Sequence, residues 1–249
     1  TLQDGLCVWR WRRRGRRTGV VQSRSYERVA QLIVACVCAR GGSKGIPRKA
    51  LRLLQGHPLV GRAVLCARES SKIERVVVST DDEDVAQVAR QYGAEVPFIR
   101  PLSLAQDESP KWDVFRHLVD SFEIIVGRRI EILVDLDVSV PLRTPATVSA
   151  CVNALQASAA DIVVTAYPAD RNPYFNMVEL DAEGNARIVK PSLGPVHNRQ
   201  AAAPVFALSP AVYAIRRDVL WRCQHWSEAR MRVHVIPREE AWDADSELD

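Results

Sequence analysis

Leu32-Ile33-Val34-Ala35-Cys36-Val37-Cys38-Ala39-Arg40-Gly41-Gly42-Ser43-Lys44-Gly45-Ile46-Pro47-Arg48-Lys49 is the stretch whose reading decides the fold. Its first seven residues form an apolar, β-branched run of the length expected for a strand buried on both faces. A loop with three glycines and four cations leaves that strand. Gly41, Gly42 and Gly45 have the freedom to adopt positive φ and to turn backbone N–H groups into one concavity. Arg40, Lys44, Arg48 and Lys49 add positive charge around it. Such a loop suits a triphosphate. The Gly-x-x-x-x-Gly-Lys-Ser/Thr spacing of a Walker A loop is absent. A solvated basic turn is the plainer reading, but it leaves the coincidence of glycine density, charge and position unexplained.

Strand and helix patterns alternate outward from this loop. Pro58 to Arg68 reads as a helix with Pro58 in its first turn, and Arg75 to Thr80 as a second buried strand. Asp81 to Tyr92 reads as a helix with acids in its first turn and Gly93 at its stop. Val96 to Pro101 reads as a short edge strand, followed by a loop through Asp107 and a helix over Lys111–Val126. Ile130 to Asp137 is a buried strand ending in Asp135 and Asp137, two apart and therefore on one face. Pro145 to Gln156 is a helix that Thr144 can cap, and Ile162 to Tyr167 is a further strand. This order predicts an α/β fold with a mostly parallel twisted sheet flanked by helices.

The texture changes near residue 168. Pro173–Leu180, Ala186–Val189 and Pro204–Arg216 read as extended segments, the first two joined by the hairpin signal Asp181-Ala182-Glu183-Gly184-Asn185. This region is expected to leave the main sheet as a small β-rich arm over about 168–203. Val233 to Pro237 reads as a last strand before the closing block Trp242-Asp243-Ala244-Asp245-Ser246-Glu247-Leu248-Asp249. The expected organisation is a basic, disordered extension over 1–31 and one domain over 32–249 with the arm embedded.

Composition narrows the function classes. The 249 residues are 47 % hydrophobic and 26 % charged, ordinary for a globular protein. The net charge of +4 is unevenly spread. Residues 1–28 hold eight arginines against Asp4 and Glu27, so the rest of the chain is slightly acidic. A nucleic-acid-binding domain would carry its positive charge on a folded face, so no nucleic-acid partner is expected. The six cysteines show no metal-binding spacing. Cys36 and Cys38 read as small core residues, and free thiols suit a reducing, cytoplasmic setting. No apolar run approaches the roughly 18 residues that span a membrane.

Ala39 to Lys49 resembles the nucleotide-binding signature of the acylneuraminate cytidylyltransferases, the CMP-sialic acid synthetases. The resemblance runs from about residue 32 to the end of the chain. It recurs at Val78-Ser79-Thr80-Asp81-Asp82, Tyr92 to Pro101, Pro141-Leu142-Arg143-Thr144, Asn198-Arg199-Gln200, Tyr213 and the closing Asp-Ala-Asp. It implies a Rossmann-like nucleotidyltransferase that moves CMP from CTP to a nonulosonic sugar acid, a homodimer, and Mg²⁺ or Mn²⁺ as cofactor. By that resemblance Ala39, Arg40, Gly41, Gly42, Ser43, Lys44, Lys49, Ser79 and Asp81 bind the nucleotide. Arg40, Lys49, Asp243 and Asp245 are the catalytic set, and Asp243 with Asp245 holds the metal. Asp137, Arg143, Arg199, Gln200 and Tyr213 are the sugar-acid residues. A guanidinium suits the acid's carboxylate.

Three departures from the family pattern stand out. Ala50 replaces the usual Asn, Asp137 replaces a Gln, and Ser209-Pro210 stands where Asn-Gly or Asn-Ala is usual; Pro210 also removes a backbone donor. Asp135 and Asp137 form a rival metal pair. The rival readings of function are a cytidylyltransferase for a shorter 3-deoxy sugar acid and a nucleotide-binding homologue with impaired catalysis.

Overall fold

The computed structural model describes residues 32–191, 194 and 198–249. The basic segment 1–31 and the Arg199 side chain lie outside the described residues, and so do the expectations attached to them.

Among the described residues, ten strands and five α-helices follow in chain order: β1 (Leu32–Cys38), β2 (Leu53–Leu54), β3 (His57–Pro58), α1 (Leu59–Glu69), β4 (Arg75–Ser79), α2 (Glu83–Gln91), α3 (Lys111–Val126), β5 (Ile130–Asp135), α4 (Pro145–Gln156), β6 (Ile162–Pro168), β7 (Val178–Leu180), β8 (Ala186–Ile188), β9 (Phe206–Arg216), α5 (Val219–Arg222) and β10 (Met231–Val235). The central sheet has the order β10-β6-β9-β5-β1-β4. β1 pairs in parallel with β4 and β5, and β10 in parallel with β6. β9 runs antiparallel between β5 and β6. The sheet is therefore mixed and mostly parallel, as the strand–helix alternation requires.

The period-two alternation of β1 divides the core. Ile33, Ala35 and Val37 point to the side packed by α1, α2 and α4. Leu32, Val34 and Cys36 point to the side packed by α3 and α5, beside Trp112, Phe115, Leu118 and Phe122. Helices on both faces explain why the strand is uniformly apolar. Caps fix the helix starts. The Asp82 carboxylate accepts from the Asp84 and Val85 N–H groups, and Thr144 Oγ1 accepts from Thr147 N. Gly93 and Gly127 take φ of +89° and +65° at helix ends.

Two expectations fail. Val96–Pro101 is not a strand; contact with the sheet is one bridge, Val77 to Glu95, after which Arg100 N donates to Thr80 O. Pro97 and Pro101 each remove a backbone donor from this segment, and it runs as a loop. Pro204–Arg216 does not belong to the arm, because Phe206–Arg216 is an interior strand of the main sheet. Within the arm, β7 and β8 form a separate two-stranded sheet.

β9 also explains the Ser209-Pro210 departure. Tyr213 pairs with Val164 and Ser209 with Thr165, so Pro210, Ala211 and Val212 bulge out of the ladder. The Thr165 hydroxyl fills the bulge, donating to Ser209 O at 2.9 Å and accepting from Val212 N at 3.1 Å. Pro210 thus sits where no ladder N–H is needed. No described helix is long and apolar enough to cross a membrane.

Candidate active site

β1, β4 and β5 are parallel neighbours, so their carboxyl ends, Cys38, Ser79 and Asp135, share one edge, where open α/β sheets place ligands. A cavity of about 290 Å³ opens there, lined by Ala39, Arg40, Ser43 and Lys49 from the glycine loop, by Asp137 and Val138 after β5, and by Arg100, Gln106, Asp107 and Lys111. Arg40, Ser43 and Lys49 are therefore placed as expected. Ala50 is buried and lines the same cavity.

The loop glycines work by close approach, not by positive φ. None of Gly41, Gly42 and Gly45 has a positive φ; the residue that does is Arg48, at +53°. A Cβ on Gly41 would stand 2.6 Å from Asp82 Oδ2, and one on Gly45 would stand 2.1 Å from the Asp245 carbonyl oxygen. Gly45 thus lets the loop touch the closing acidic block. Ser79 and Asp81 lie behind the loop instead of facing the cavity. Ser79 O accepts from Ala39 N, and Asp81 Oδ1 accepts from Gly41 N at 3.1 Å. They hold the loop in place. Gly42 is exposed and contributes no lining.

Each loop cation meets a carboxylate. Arg40 pairs with Asp107 at 2.6 Å, and Lys44, which does not line the cavity, reaches the same carboxylate. Lys49 pairs with Asp245 at 2.9 Å. Arg48 turns away to Asp82 and Asp84 at the start of α2. The side chain of Lys44 and then that of Arg40 hold the Asp107 carboxyl below its usual range. Asp107 occupies the place that a phosphate oxygen would take between two cations.

Asp243 and Asp245 differ sharply. Asp245 is exposed and held by Lys49, whereas Asp243 is half-buried and its Oδ1 is buried without a hydrogen-bond partner. Burial pushes the Asp243 carboxyl pKa up; Ser139 opposes this, and Asp245 and Asp137 add to it. An orphaned carboxylate oxygen amid like charges is the environment that a hard divalent cation relieves, so the residues fit the expected metal. Among the described residues, the trio of candidate ligands whose atoms lie within 4.8 Å of one another is Cys36, Cys38 and Asp135, not a set built on Asp243. The other ligands at Asp243 and Asp245 would be phosphate oxygens and water.

Asp135 and Asp137 do converge, but on an ammonium. Lys111 Nζ stands 2.7 Å from Asp135 Oδ2 and 2.9 Å from Asp137 Oδ2. Burial opposes the charge on Lys111, yet the two carboxylates outweigh it and raise its pKa well above that of an ordinary lysine. Burial raises the Asp135 carboxyl, while Lys111, with the Ser139 N–H, overcomes burial at Asp137 and holds it low.

A second cavity, about 340 Å³, lies on the other side of Lys111 and is lined by Trp112, Phe115, Pro210, Tyr213, His225 and Trp226. Tyr213 opposes Asp135 in the β5–β9 ladder, which aims it here. Arg143 does not reach either cavity. It is 5 % exposed, and its guanidinium donates to Ala211 O at 2.7 Å and to Asp137 O. It braces the β9 bulge and the loop after β5. Gln200 is exposed and lines neither cavity.

Sequence reasoning missed Arg100, Gln106, Asp107 and Lys111. Arg100 is 5 % exposed, faces the cavity, and leaves Nε without a partner. The signal was positional: the segment joins the β4–α2 unit to α3 along the edge where the glycine loop lies.

A family model described as cytidylyltransferase matches residues 34–231. The chain is 34 % identical over 217 residues to the CMP-N,N'-diacetyllegionaminic acid synthase of Campylobacter jejuni, covering 87 % of this chain and 91 % of that one. It is 32 % identical, with the same coverage, to the post-translational flagellin modification protein B of Campylobacter coli. Among solved structures, a CMP:2-keto-3-deoxy-manno-octonic acid synthetase complexed with CTP superposes with a TM-score of 0.62 at 19 % identity, covering 88 % of this chain and 95 % of that one. At that identity the match speaks for the fold alone.

Proposed function

The chain belongs to the cytidylyltransferase family, and from that premise we propose that it transfers CMP from CTP to a nonulosonic sugar acid, releasing pyrophosphate. The observation that carries this reading is the pair of adjoining cavities at the strand ends. One is lined by Arg40, Ser43, Lys49 and Arg100 and suits a triphosphate nucleotide. The other is lined by aromatic side chains and Tyr213 and suits a sugar acid, whose ring faces stack on such surfaces.

Arg40 and Lys49 bind the phosphates once CTP displaces Asp107 and Asp245 from them, and Lys44 joins them from the rim. Ala39 and Ser43 shape the cavity wall beside them. Charge neutralisation and in-line placement are the main demands of phosphoryl chemistry. Asp243 and Asp245 hold Mg²⁺ or Mn²⁺, which when bound neutralises phosphate charge and orients the α-phosphoryl group. Tyr213, and Arg199 and Gln200 by family resemblance, serve the acid. The exposed β7–β8 arm is the surface for a second copy, and CTP as substrate places the reaction in the cytoplasm.

N,N'-diacetyllegionaminic acid is the leading acceptor, because the full-length relative of known acceptor carries it in its name. Pyrophosphate release is measured with CTP, Mg²⁺ and, in turn, that acid, pseudaminic acid, N-acetylneuraminic acid and 3-deoxy-manno-octulosonic acid. Turnover is expected with a nine-carbon acid. Turnover with the eight-carbon acid alone, or with none of the four, contradicts the proposal.

A further inference from the structure

We propose that Lys111, the first residue of α3, is a catalytic residue of this transfer: its ammonium stands where the α-phosphoryl group of CTP meets the acceptor oxygen and stabilises the charge of the transition state. This rests on the two-cavity reading above. Among the described residues, Lys111 is the one that lines both cavities. Two substrates held in adjoining cavities react at the wall they share, and a charged donor there faces the reacting atoms.

The arrangement has the marks of a preorganised site. The ammonium carries three donors. Asp137 takes one, at 2.9 Å, and Asp135 pairs with the ammonium at 2.7 Å, which leaves donor capacity for a ligand. The side chain is still 42 % exposed, so a substrate can reach it. Its orientation is fixed from several directions. Asp135 is buried at the end of β5, with Cys36 Sγ 3.7 Å from its Oδ1. Asp137 accepts from Ser139 N and Oγ, each at 3.1 Å. The Phe115 ring centroid lies 5.8 Å from Nζ. Pro110 immediately precedes the helix and fixes its entry.

In the transfer, the acceptor hydroxyl oxygen forms a bond to the α-phosphorus. The bond from that phosphorus to the bridging oxygen of the β-phosphate breaks, pyrophosphate leaves with the electron pair, and the hydroxyl proton is released to water. Lys111 aims its third N–H at a non-bridging α-oxygen, closes that hydrogen bond as negative charge builds there in the transition state, and stays protonated.

The test compares wild type with Lys111→Met and Lys111→Arg in the full chain, measuring kcat and both KM values in the pyrophosphate assay, CTP affinity by calorimetry and folding by thermal melting. Lys111→Met is expected to lower kcat about 10²–10³-fold, as for loss of a preorganised donor, with CTP affinity and both KM values within about threefold; Lys111→Arg recovers part of the kcat. Removing the ammonium leaves two carboxylates unpaired. The double variant Lys111→Met/Asp137→Asn therefore serves if the single one does not fold, and the same loss of kcat is expected. Unchanged kcat, or CTP affinity falling in parallel with kcat, overturns the proposal. A wild type that turns over none of the four acids contradicts the function instead, and CTP affinity of the variant still tests whether Lys111 is a mere binding or structural cation.

Discussion

The two edges of the central sheet are both crowded with charge, but they are charged in different ways. At the amino edge, around a cavity of about 450 Å³, the buried charges have fixed partners. Asp161 accepts from Arg230 N and pairs with Arg222 at 2.7 Å and Arg230 at 3.2 Å. Glu123 receives both Arg217 nitrogens and the Ile130 N–H. Arg216 donates to the carbonyls of Ala160, Leu155 and Ser158. At the carboxyl edge, the cavity is smaller, about 290 Å³, and the pairs are provisional. Arg40 and Lys49 rest on the side chains of Asp107 and Asp245, while Arg100 Nε and Asp243 Oδ1 are buried without hydrogen-bond partners. Cavity size does not mark the ligand site here; incomplete satisfaction does. One edge spends its polar groups on the fold; the proposed function assigns those of the other edge to a substrate.

The sharpest way to break this contrast is Lys49→Ala. The account predicts a loss of about 10²–10³ in turnover with CTP and a melting temperature within about 2 °C of wild type, because an ion pair to an exposed carboxylate contributes little to stability. A large fall in melting temperature would move Lys49 to the structural edge.

Asp161→Ala should do the reverse. Loss of a buried carboxylate bonded to two guanidinium groups costs about 2–3 kcal/mol, or about 4–10 °C in melting temperature, with kcat within about twofold. The side chains of Arg230 and Arg222, with burial opposing, hold the Asp161 pKa below the usual carboxylate range. The folded state then binds fewer protons than the unfolded one, so this stabilisation is full above the unfolded pKa of about 4 and is lost as the pH falls below it. Denaturant melts from pH 7 to pH 3 should show an acid loss in wild type that is smaller in the variant.

The mildest effect is expected from Asp107→Asn. Releasing Arg40 and Lys44 from their stand-in anion should tighten CTP binding about two- to fivefold, since exposed ion pairs are weak competitors. Weaker binding would mean that Asp107 contacts the nucleotide.

Where the sequence carried its own stop and start signals, it was legible. α3 and α4 run over the expected residues because Pro110 and Thr144 mark their starts and Gly127 ends the first. The glycine loop was recognisable by composition, yet the reason for its glycines was not, since Gly45 answers to Asp245, two hundred residues away in the chain. β9 was misassigned because an extended pattern does not name its sheet partners, and the bulge at Pro210 breaks its alternation. The bracing of Ala211 O and Asp137 O by Arg143 was not legible, because burial of a guanidinium is decided by tertiary packing. Lys111 was invisible as a site residue: a lysine at a helix start reads as a solvated charge until Asp135 and Asp137 come into contact with it.

The most direct test of the central claim is a calorimetric titration of the full chain with CTP, GTP and ATP in Mg²⁺. The account predicts one CTP site per chain, with GTP and ATP binding at least about tenfold more weakly, a difference of about 1.4 kcal/mol. A folded protein that binds none of the three, or all three alike, would contradict it.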